Sequence, residues 1–198
     1  MLAVVAVPVL GPSVPRRGNA FSRAVGRLGL ALLRFRFEGS FPDVPRCVMI
    51  VAPHTSNWDF VVGVFAKLAL GLRARFIGKH TLFRGPFGVF RRWLGGIPVD
   101  RRAPGGIVES TVEAMRASEQ LYLAVTPEGT RKKVPAWKAG FYRVAHGAGV
   151  PILPVAFDYR KRAVVFEPLF HPSGEYEADL LALRAGFDAA MAYRPENY

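Results

Sequence analysis

The sequence predicts a single α/β domain with a mixed, mostly parallel sheet flanked by helices. Short apolar runs at residues 47–52, 121–125 and 149–157 have the length and composition of buried strands. Segments of helical length and periodicity, such as residues 58–70 and 105–119, lie between them. Alternation of strands and helices along a chain is typical of parallel sheets whose faces are covered by helices.

Length and composition agree with one folded domain. The chain has 198 residues and is 51% hydrophobic, which is enough for a proper core and argues against disorder. Its net charge of +12 predicts an anionic partner: a phospholipid surface, a phosphorylated substrate, an acidic carrier protein or nucleic acid. We expect no nucleic-acid partner, because the arginines are dispersed and no helix-turn-helix, zinc-finger or RNP pattern is present.

Cysteine and histidine usage indicates neither a disulfide nor a metal. Cys47 is the single cysteine and lies in an apolar run, so we expect a buried structural thiol. No Cys/His cluster has zinc-site spacing, and we predict no structural metal and no cofactor.

The N-terminal segment, residues 1–40, differs from the remaining domain, residues 41–198. Its apolar start is interrupted by Pro8, Gly11 and Pro12 and lacks a preceding basic stretch, so we expect no signal peptide. Residues 19–37 predict a basic amphipathic helix, with Phe21 and Leu28 on its apolar face. Such a helix either lies in a membrane interface or packs on the sheet. No apolar run reaches the roughly 18–20 residues of a spanning helix, so we predict a protein that lies on the bilayer.

The other elements follow from periodicity and from turn residues. Proline residues 151 and 154 restrict ladder pairing and favour an edge or irregular strand at residues 149–157. In chain order after the first strand we predict a helix at 58–70, a strand at 74–78, a loop at 79–88, a helix at 87–94, strands beginning at 97 and at 121, a helix at 105–119 between them, a helix at 137–148, strands at 149–157 and 163–167, and a terminal helix at 176–193.

The turn between the first strand and the first long helix of the domain carries His54 and Asp59. These side chains can meet only if His54 lies in the turn and Asp59 in the first helical turn, with Ser56 or Asn57 as the N-cap. Asp59 would then accept the Nδ1 proton and leave Nε2 of His54 free as a general base. A surface hydrogen bond between the two side chains is the plainer alternative.

A second polar stretch, Pro127-Glu128-Gly129-Thr130-Arg131, follows the strand at residues 121–125. With this stretch the chain resembles the glycerolipid (phosphate) acyltransferases, typified by lysophosphatidic acid acyltransferase. Their first block is a His, four residues and an Asp, and their third is a Pro-Glu-Gly-Thr-Arg run. Residues 95–101 and 149–157 resemble their second and fourth blocks.

The resemblance implies an O-acyltransferase that moves a fatty acyl group from an acyl thioester, acyl-CoA or acyl carrier protein, to a phosphorylated lysolipid. It implies that His54 and Asp59 are catalytic, and that the acceptor is bound by Arg101, Glu128, Gly129, Thr130 and Arg131. It also implies a role in lipid metabolism and a peripheral location on the cytoplasmic face of the membrane, with the anionic membrane surface as a partner. The family usually has a serine after the last arginine, where this chain has Lys132.

Several alternatives stay open from the sequence. The acceptor is a 1-acylglycerol-3-phosphate-like lysolipid, another lysolipid such as a lyso-ornithine lipid, or glycerol 3-phosphate itself. A non-catalytic basic module that binds lipid or nucleic acid is the alternative from another class. No Gly-x-Ser-x-Gly elbow is present, so we expect direct attack without an acyl-enzyme.

Overall fold

The computed structural model describes residues 5–99 and 106–198. Within these two stretches, seven strands form one sheet and six α-helices surround it. In chain order the elements are α1 Ala20–Leu32, β1 Arg36–Glu38, β2 Arg46–Ala52, α2 Asn57–Leu70, β3 Ala74–Lys79, a 3₁₀ turn His80–Phe83, α3 Gly85–Trp93, β4 Gly96–Val99, α4 Ile107–Ala117, β5 Leu121–Val125, α5 Gly140–Ala148, β6 Ile152–Asp158, β7 Ala163–Phe166, α6 Tyr176–Arg184, and two 3₁₀ turns, Ala189–Met191 and Pro195–Asn197.

The sheet has the strand order β1-β7-β6-β2-β5-β3-β4. Strands β6, β2, β5, β3 and β4 run parallel to one another, while β7 is antiparallel to β6. β1 pairs in parallel with β7. The predicted mixed, mostly parallel α/β domain is confirmed, and the carboxyl ends of β6, β2 and β5 lie side by side at one edge.

Strand β2 shows why the sheet needs cover on both faces. Alternate residues point to opposite sides, so Cys47 and Met49 join one apolar cluster and Val48 and Ile50 join the other. Helices α1 and α2 contribute to the first cluster, and α4, α5 and α6 to the second. Cys47 is buried as predicted, and burial raises the pKa of its thiol above its usual range.

Helix α1 packs on α2 through small residues. A Cβ atom at Gly26 would collide with the backbone of Ala69, and one at Gly29 would collide with the ring of Phe65. Phe21 and Leu28 of the predicted amphipathic face are exposed and do not take part in this packing, whereas Leu33 packs against the core. No helix in the two described stretches is long and apolar enough to cross a bilayer.

Four sequence-based expectations need correction. The helix predicted over residues 19–37 ends at Leu32, and residues 36–38 form β1 instead. The strand at residues 152–158 is not at an edge, because β6 lies between β7 and β2 with all seven residues buried. Pro154 is tolerated because it lies opposite Glu167, one residue beyond the end of β7. Its carbonyl accepts the Glu167 amide at 3.1 Å, so the missing donor falls outside the β6–β7 ladder.

The helix predicted from residue 137 begins at Gly140. Trp137 is instead buried against the rings of Phe141 and Phe187, and the Lys138 amide bonds the carbonyl of Pro127 at 2.9 Å. The terminal helix, predicted to residue 193, ends at Arg184. Gly186 follows and favours termination, after which two 3₁₀ turns complete the chain.

Candidate active site

The site lies where the carboxyl ends of three neighbouring parallel strands meet. His54 comes two residues after β2, Glu128 three residues after β5, and Tyr159 directly after β6. Open α/β sheets bind ligands at this edge, because polar turns from several strands converge there.

A capping box at the start of α2 fixes Asp59. Ser56 is the N-cap and its Oγ accepts the Trp58 amide at 3.2 Å, while Asp59 occupies the third helical position. Oδ2 of Asp59 accepts the amides of Thr55 and Ser56, each at 2.8 Å. The carboxylate also lies at the positive end of the helix dipole, which stabilises its charge.

The imidazole of His54 faces this carboxylate. Nδ1 lies 3.2 Å from Oδ2 of Asp59, and the two side chains are 15% and 1% exposed. The predicted geometry, with the histidine in the turn and the aspartate in the first helical turn, is therefore present. The other ring nitrogen, Nε2, does not take part in the contact with Asp59.

Tyr159 completes the surroundings of Asp59. Its hydroxyl donates to Oδ1 at 2.9 Å, so both carboxylate oxygens accept hydrogen bonds. The Tyr159 ring packs edge-on against Phe35 and Tyr193, with centroids 5.1 Å apart in both pairs. Burial and the neighbouring Asp59 charge raise the pKa of Tyr159, which keeps its hydroxyl a donor.

Glu128 reaches the histidine from the third block. Its Oε1 accepts the backbone amide of His54 at 3.1 Å. The side chain is buried, and Oε2 has no hydrogen-bond partner among the described residues. Burial raises the pKa of Glu128 above its usual range, against the opposing effects of hydrogen bonding and of His54. The first and third blocks are thus joined by a direct hydrogen bond.

The rest of the third block lines or supports a cationic cavity of about 380 Å³. Gly129 has a φ of +65°, and a Cβ there would press on the Lys138 side chain. Oγ1 of Thr130 accepts the Lys132 amide at 3.4 Å. The cavity is lined by Thr55, Ser56, Asn57, Arg131, Lys132, Arg194 and Asn197.

Three contributors to this region were not predicted from the sequence: Tyr159, Arg194 and Asn197. Arg194 lies in the C-terminal segment, and its backbone amide bonds Oγ1 of Thr55 at 3.1 Å. No local pattern marks it, since only the path of the chain brings it to the cavity. Tyr159 did carry a signal, because it lies two residues after the strand predicted at residues 149–157, and strand ends are where open α/β sheets place ligand-binding residues. Arg101, predicted to bind phosphate, lies outside the described residues.

Comparison with protein families decides the classification. A family model described as Acyltransferase matches residues 34–158, which contain the His54, Asp59 and Glu128 cluster. The chain belongs to the acyltransferase family. It is therefore an acyltransferase, and the resemblance inferred from its sequence blocks is confirmed.

The fold of this acyltransferase is similar to a solved enzyme structure. The crystal structure of the 1-acyl-sn-glycerophosphate (LPA) acyltransferase PlsC from Thermotoga maritima superposes with a TM-score of 0.63 at 20% sequence identity. The match covers 84% of this chain and 75% of that one. No curated protein sequence matches the chain. At this identity the structural similarity establishes the fold.

Proposed function

We propose that this acyltransferase moves a fatty acyl group from acyl-CoA or acyl carrier protein to the hydroxyl of a lysophospholipid-type acceptor resembling 1-acylglycerol 3-phosphate. The observation that carries the proposal is the contact of His54 with a buried, multiply hydrogen-bonded Asp59 beside a cationic cavity. The alternative, an ordinary surface hydrogen bond between the two side chains, does not fit, because the Asp59 side chain is only 1% exposed.

The chemistry requires no intermediate bound to the protein. Nε2 of His54 accepts the proton of the acceptor hydroxyl as its oxygen attacks the thioester carbonyl carbon. The tetrahedral intermediate collapses, the carbon–sulfur bond breaks, and the thiolate takes the proton from His54. Asp59 holds the ring through Nδ1 and stabilises the imidazolium that forms between the two steps.

The cavity supports a phosphorylated acceptor. Arg131 and Arg194 line it from different parts of the chain, and Lys132 adds a third positive charge. Arginine forms bidentate, charge-assisted hydrogen bonds to phosphate. Thr55 and Ser56 line the same cavity and directly follow His54, so a phosphate held there would bring a nearby hydroxyl towards the imidazole.

We propose that the reaction takes place at an anionic membrane surface, because the lysolipid acceptor lies in that membrane. We place the protein on the cytoplasmic face, where both acyl donors occur. The exposed Phe21 and Leu28 and the interleaved arginines of α1 suit a helix lying in a membrane interface. Binding to anionic vesicles should weaken as salt rises, because surface charges are screened over about 8–10 Å at 0.1–0.15 M salt.

The test is acyl transfer to a panel of acceptors. Purified protein is incubated with labelled acyl-CoA or acyl carrier protein and with lysophosphatidic acid, lyso-ornithine lipid or glycerol 3-phosphate, and products are identified by mass spectrometry. His54→Ala should lower the turnover by roughly 10²–10⁴-fold. His171→Ala is the control, since His171 is exposed on the surface. Near wild-type turnover by folded His54→Ala protein would refute the mechanism.

A further inference from the structure

A second cationic cavity lies at the opposite edge of the sheet from His54. It has a volume of about 290 Å³ and is found where β3 and β4 begin, whereas His54 follows the end of the parallel strand β2. The candidate active site does not use any of its residues. The cavity is lined by Arg17, Lys67, Arg73, Ala74, Arg75, Arg92, Gly95, Gly96 and Ile97.

Five of these residues are basic, and no acidic side chain is among the described residues that line the cavity. The ammonium of Lys67 donates to the carbonyls of Ala74, at 2.8 Å, and Leu94. A lysine ammonium has three protons, so one is left for a ligand. Burial, and to a lesser degree the charge of Arg17, lower the pKa of Lys67 to about 8. A bound anion would stabilise the charged form of Lys67 against its burial and would offset the mutual repulsion of the five basic groups.

Backbone geometry and hydrogen bonds position three of the basic groups. Gly95 has a φ of +98°, and a Cβ there would lie 3.3 Å from Nζ of Lys67 and close to the Ala74 carbonyl. Arg17 donates to the Trp93 carbonyl at 2.9 Å, and its guanidinium lies 5.4 Å from the centre of the Trp93 ring. Arg92 donates to the Phe83 carbonyl at 3.1 Å. Arg73 and Arg75 remain exposed at the mouth.

The cavity borders the most apolar part of the surface. Aromatic contacts from Phe60 of α2 through Phe76 to Phe83, at 5.9 and 6.4 Å, place the 3₁₀ turn before α3 on the same face of the sheet as α2. Lys67 of α2 also donates to the carbonyl of Leu94 at the end of α3, so α3 lies beside α2. Eight of the eleven large exposed hydrophobic residues among those described lie on α1, α2 and α3: Phe21, Leu28, Leu32, Trp58, Phe87, Val89, Phe90 and Trp93. Exposed apolar and aromatic side chains beside basic groups are typical of surfaces that contact lipid headgroups.

We propose that this basic cavity binds the phosphate of an anionic phospholipid headgroup while the exposed aromatic residues of α3 lie in the membrane interface. Its size is at the lower limit of the roughly 300–1,000 Å³ typical of small-molecule pockets, which suits a headgroup without its acyl chains. The inference extends the membrane surface proposed above, and it assigns a lipid site that is separate from the acceptor site.

The test compares two double variants that each remove two charges. Arg73→Gln/Arg75→Gln should weaken binding to phosphatidylcholine vesicles containing phosphatidic acid by about 30-fold, since each basic residue near an anionic surface contributes about fivefold. Arg116→Gln/Arg143→Gln removes the same charge from α4 and α5 on the other face of the sheet. We expect this control to change binding by less than about threefold. Thermal unfolding verifies that both variants are folded.

Further arms separate the possible outcomes. In a Trp58→Phe background, brominated lipids should quench Trp93, which is 53% exposed, whereas Trp137 is only 5% exposed.

Equal losses in both double variants, or no loss in either, would overturn the proposal. A third result would also overturn it: inorganic phosphate binds the cavity in solution, but Arg73→Gln/Arg75→Gln leaves vesicle binding unchanged. The cavity would then be a site for free phosphate and not for a lipid headgroup. Activity on detergent-dispersed acceptor should stay normal in Arg73→Gln/Arg75→Gln, so a failure of the acyl-transfer mechanism is distinguished from a failure of the lipid site.

Discussion

The hydroxyl of Tyr159 donates a 2.9 Å hydrogen bond to Oδ1 of Asp59, a residue 100 positions earlier in the chain. The bond joins the turn after β6 to the first turn of α2. Because Oδ2 already accepts two backbone amides, the carboxylate is held at both oxygens and cannot rotate away from His54 without losing hydrogen bonds. Tyr159 is therefore a positioning residue for the proposed base.

Tyr159→Phe should weaken both the fold and the catalysis. Removing a hydrogen bond to a charged, buried carboxylate should lower the free energy of unfolding by about 1.5–3 kcal/mol. We expect kcat/KM to fall about tenfold, equivalent to about 1.4 kcal/mol, as Asp59 loses its orientation. Tyr193→Phe is the control, because Tyr193 contacts the Tyr159 ring and leaves the Asp59 bonds in place. Denaturant unfolding measures the change in stability, and steady-state kinetics measure the change in kcat/KM. If Tyr159→Phe behaves like wild type in both, Tyr159 does not position Asp59.

Glu128 should make stability fall as the pH rises. Its pKa in the folded protein is raised above the ordinary value of 4.5, mainly by burial. The folded state then binds more protons than the unfolded state, so this contribution to stability is full below pH 4.5 and is lost as the pH rises through the folded pKa. The side chain of Glu128→Gln does not titrate in this range. The melting temperature of wild type should therefore fall relative to that of Glu128→Gln as the pH rises. A pH-independent difference would contradict this assignment.

The same residue offers a test of how the two blocks are joined. Glu128→Gln retains an acceptor for the His54 amide and should keep most of the activity. Glu128→Ala leaves that amide without its partner, at a cost of about 1–3 kcal/mol. Comparable kinetics of the two variants would show that the hydrogen bond does not position His54.

Arg131 and Arg194 should both act on the acceptor. If they hold its phosphate, Arg131→Ala and Arg194→Ala should each cost about 1.5–3 kcal/mol in acceptor kcat/KM and spare the affinity for the acyl donor. Replacement of either arginine by lysine should restore only part of the lost acceptor kcat/KM, since an ammonium cannot form the bidentate contact. Arg143→Ala, at an exposed position of α5 outside both cavities, is the control. Identical kinetics of all three alanine variants would eliminate the phosphate site. Arg101→Ala should behave like Arg131→Ala.

The contact of α1 with α2 should depend on glycine. Gly26→Ala places a methyl group against the backbone of Ala69, and overpacking of this kind costs about 1–3 kcal/mol. Gly140→Ala is a matched control at the start of α5, where nothing lies within 4 Å of an added Cβ. We expect that change to stabilise by about 0.4–1 kcal/mol. Calorimetric unfolding should show shifts of opposite sign, and shifts of the same sign would disprove the close contact.

The sequence by itself determined the features that depend on neighbouring residues. The strand at residues 121–125 was predicted with its observed ends, and Ser56 was one of two predicted N-caps for α2. The His54–Asp59 contact was predictable as well, because a capping box spans only a few residues and places both side chains by local geometry.

Only the tertiary structure decided which turns meet. The Glu128–His54 and Tyr159–Asp59 bonds exist because β5 and β6 both pair with β2, a choice set by packing on the two sheet faces. Strand pairing also placed the missing donor of Pro154 outside the β6–β7 ladder and made β6 an internal strand, against the prediction from proline alone. Arg194 and the basic cavity around Lys67 depend on contacts between distant segments. Local propensities do not encode such contacts, since they form only when the whole core is buried.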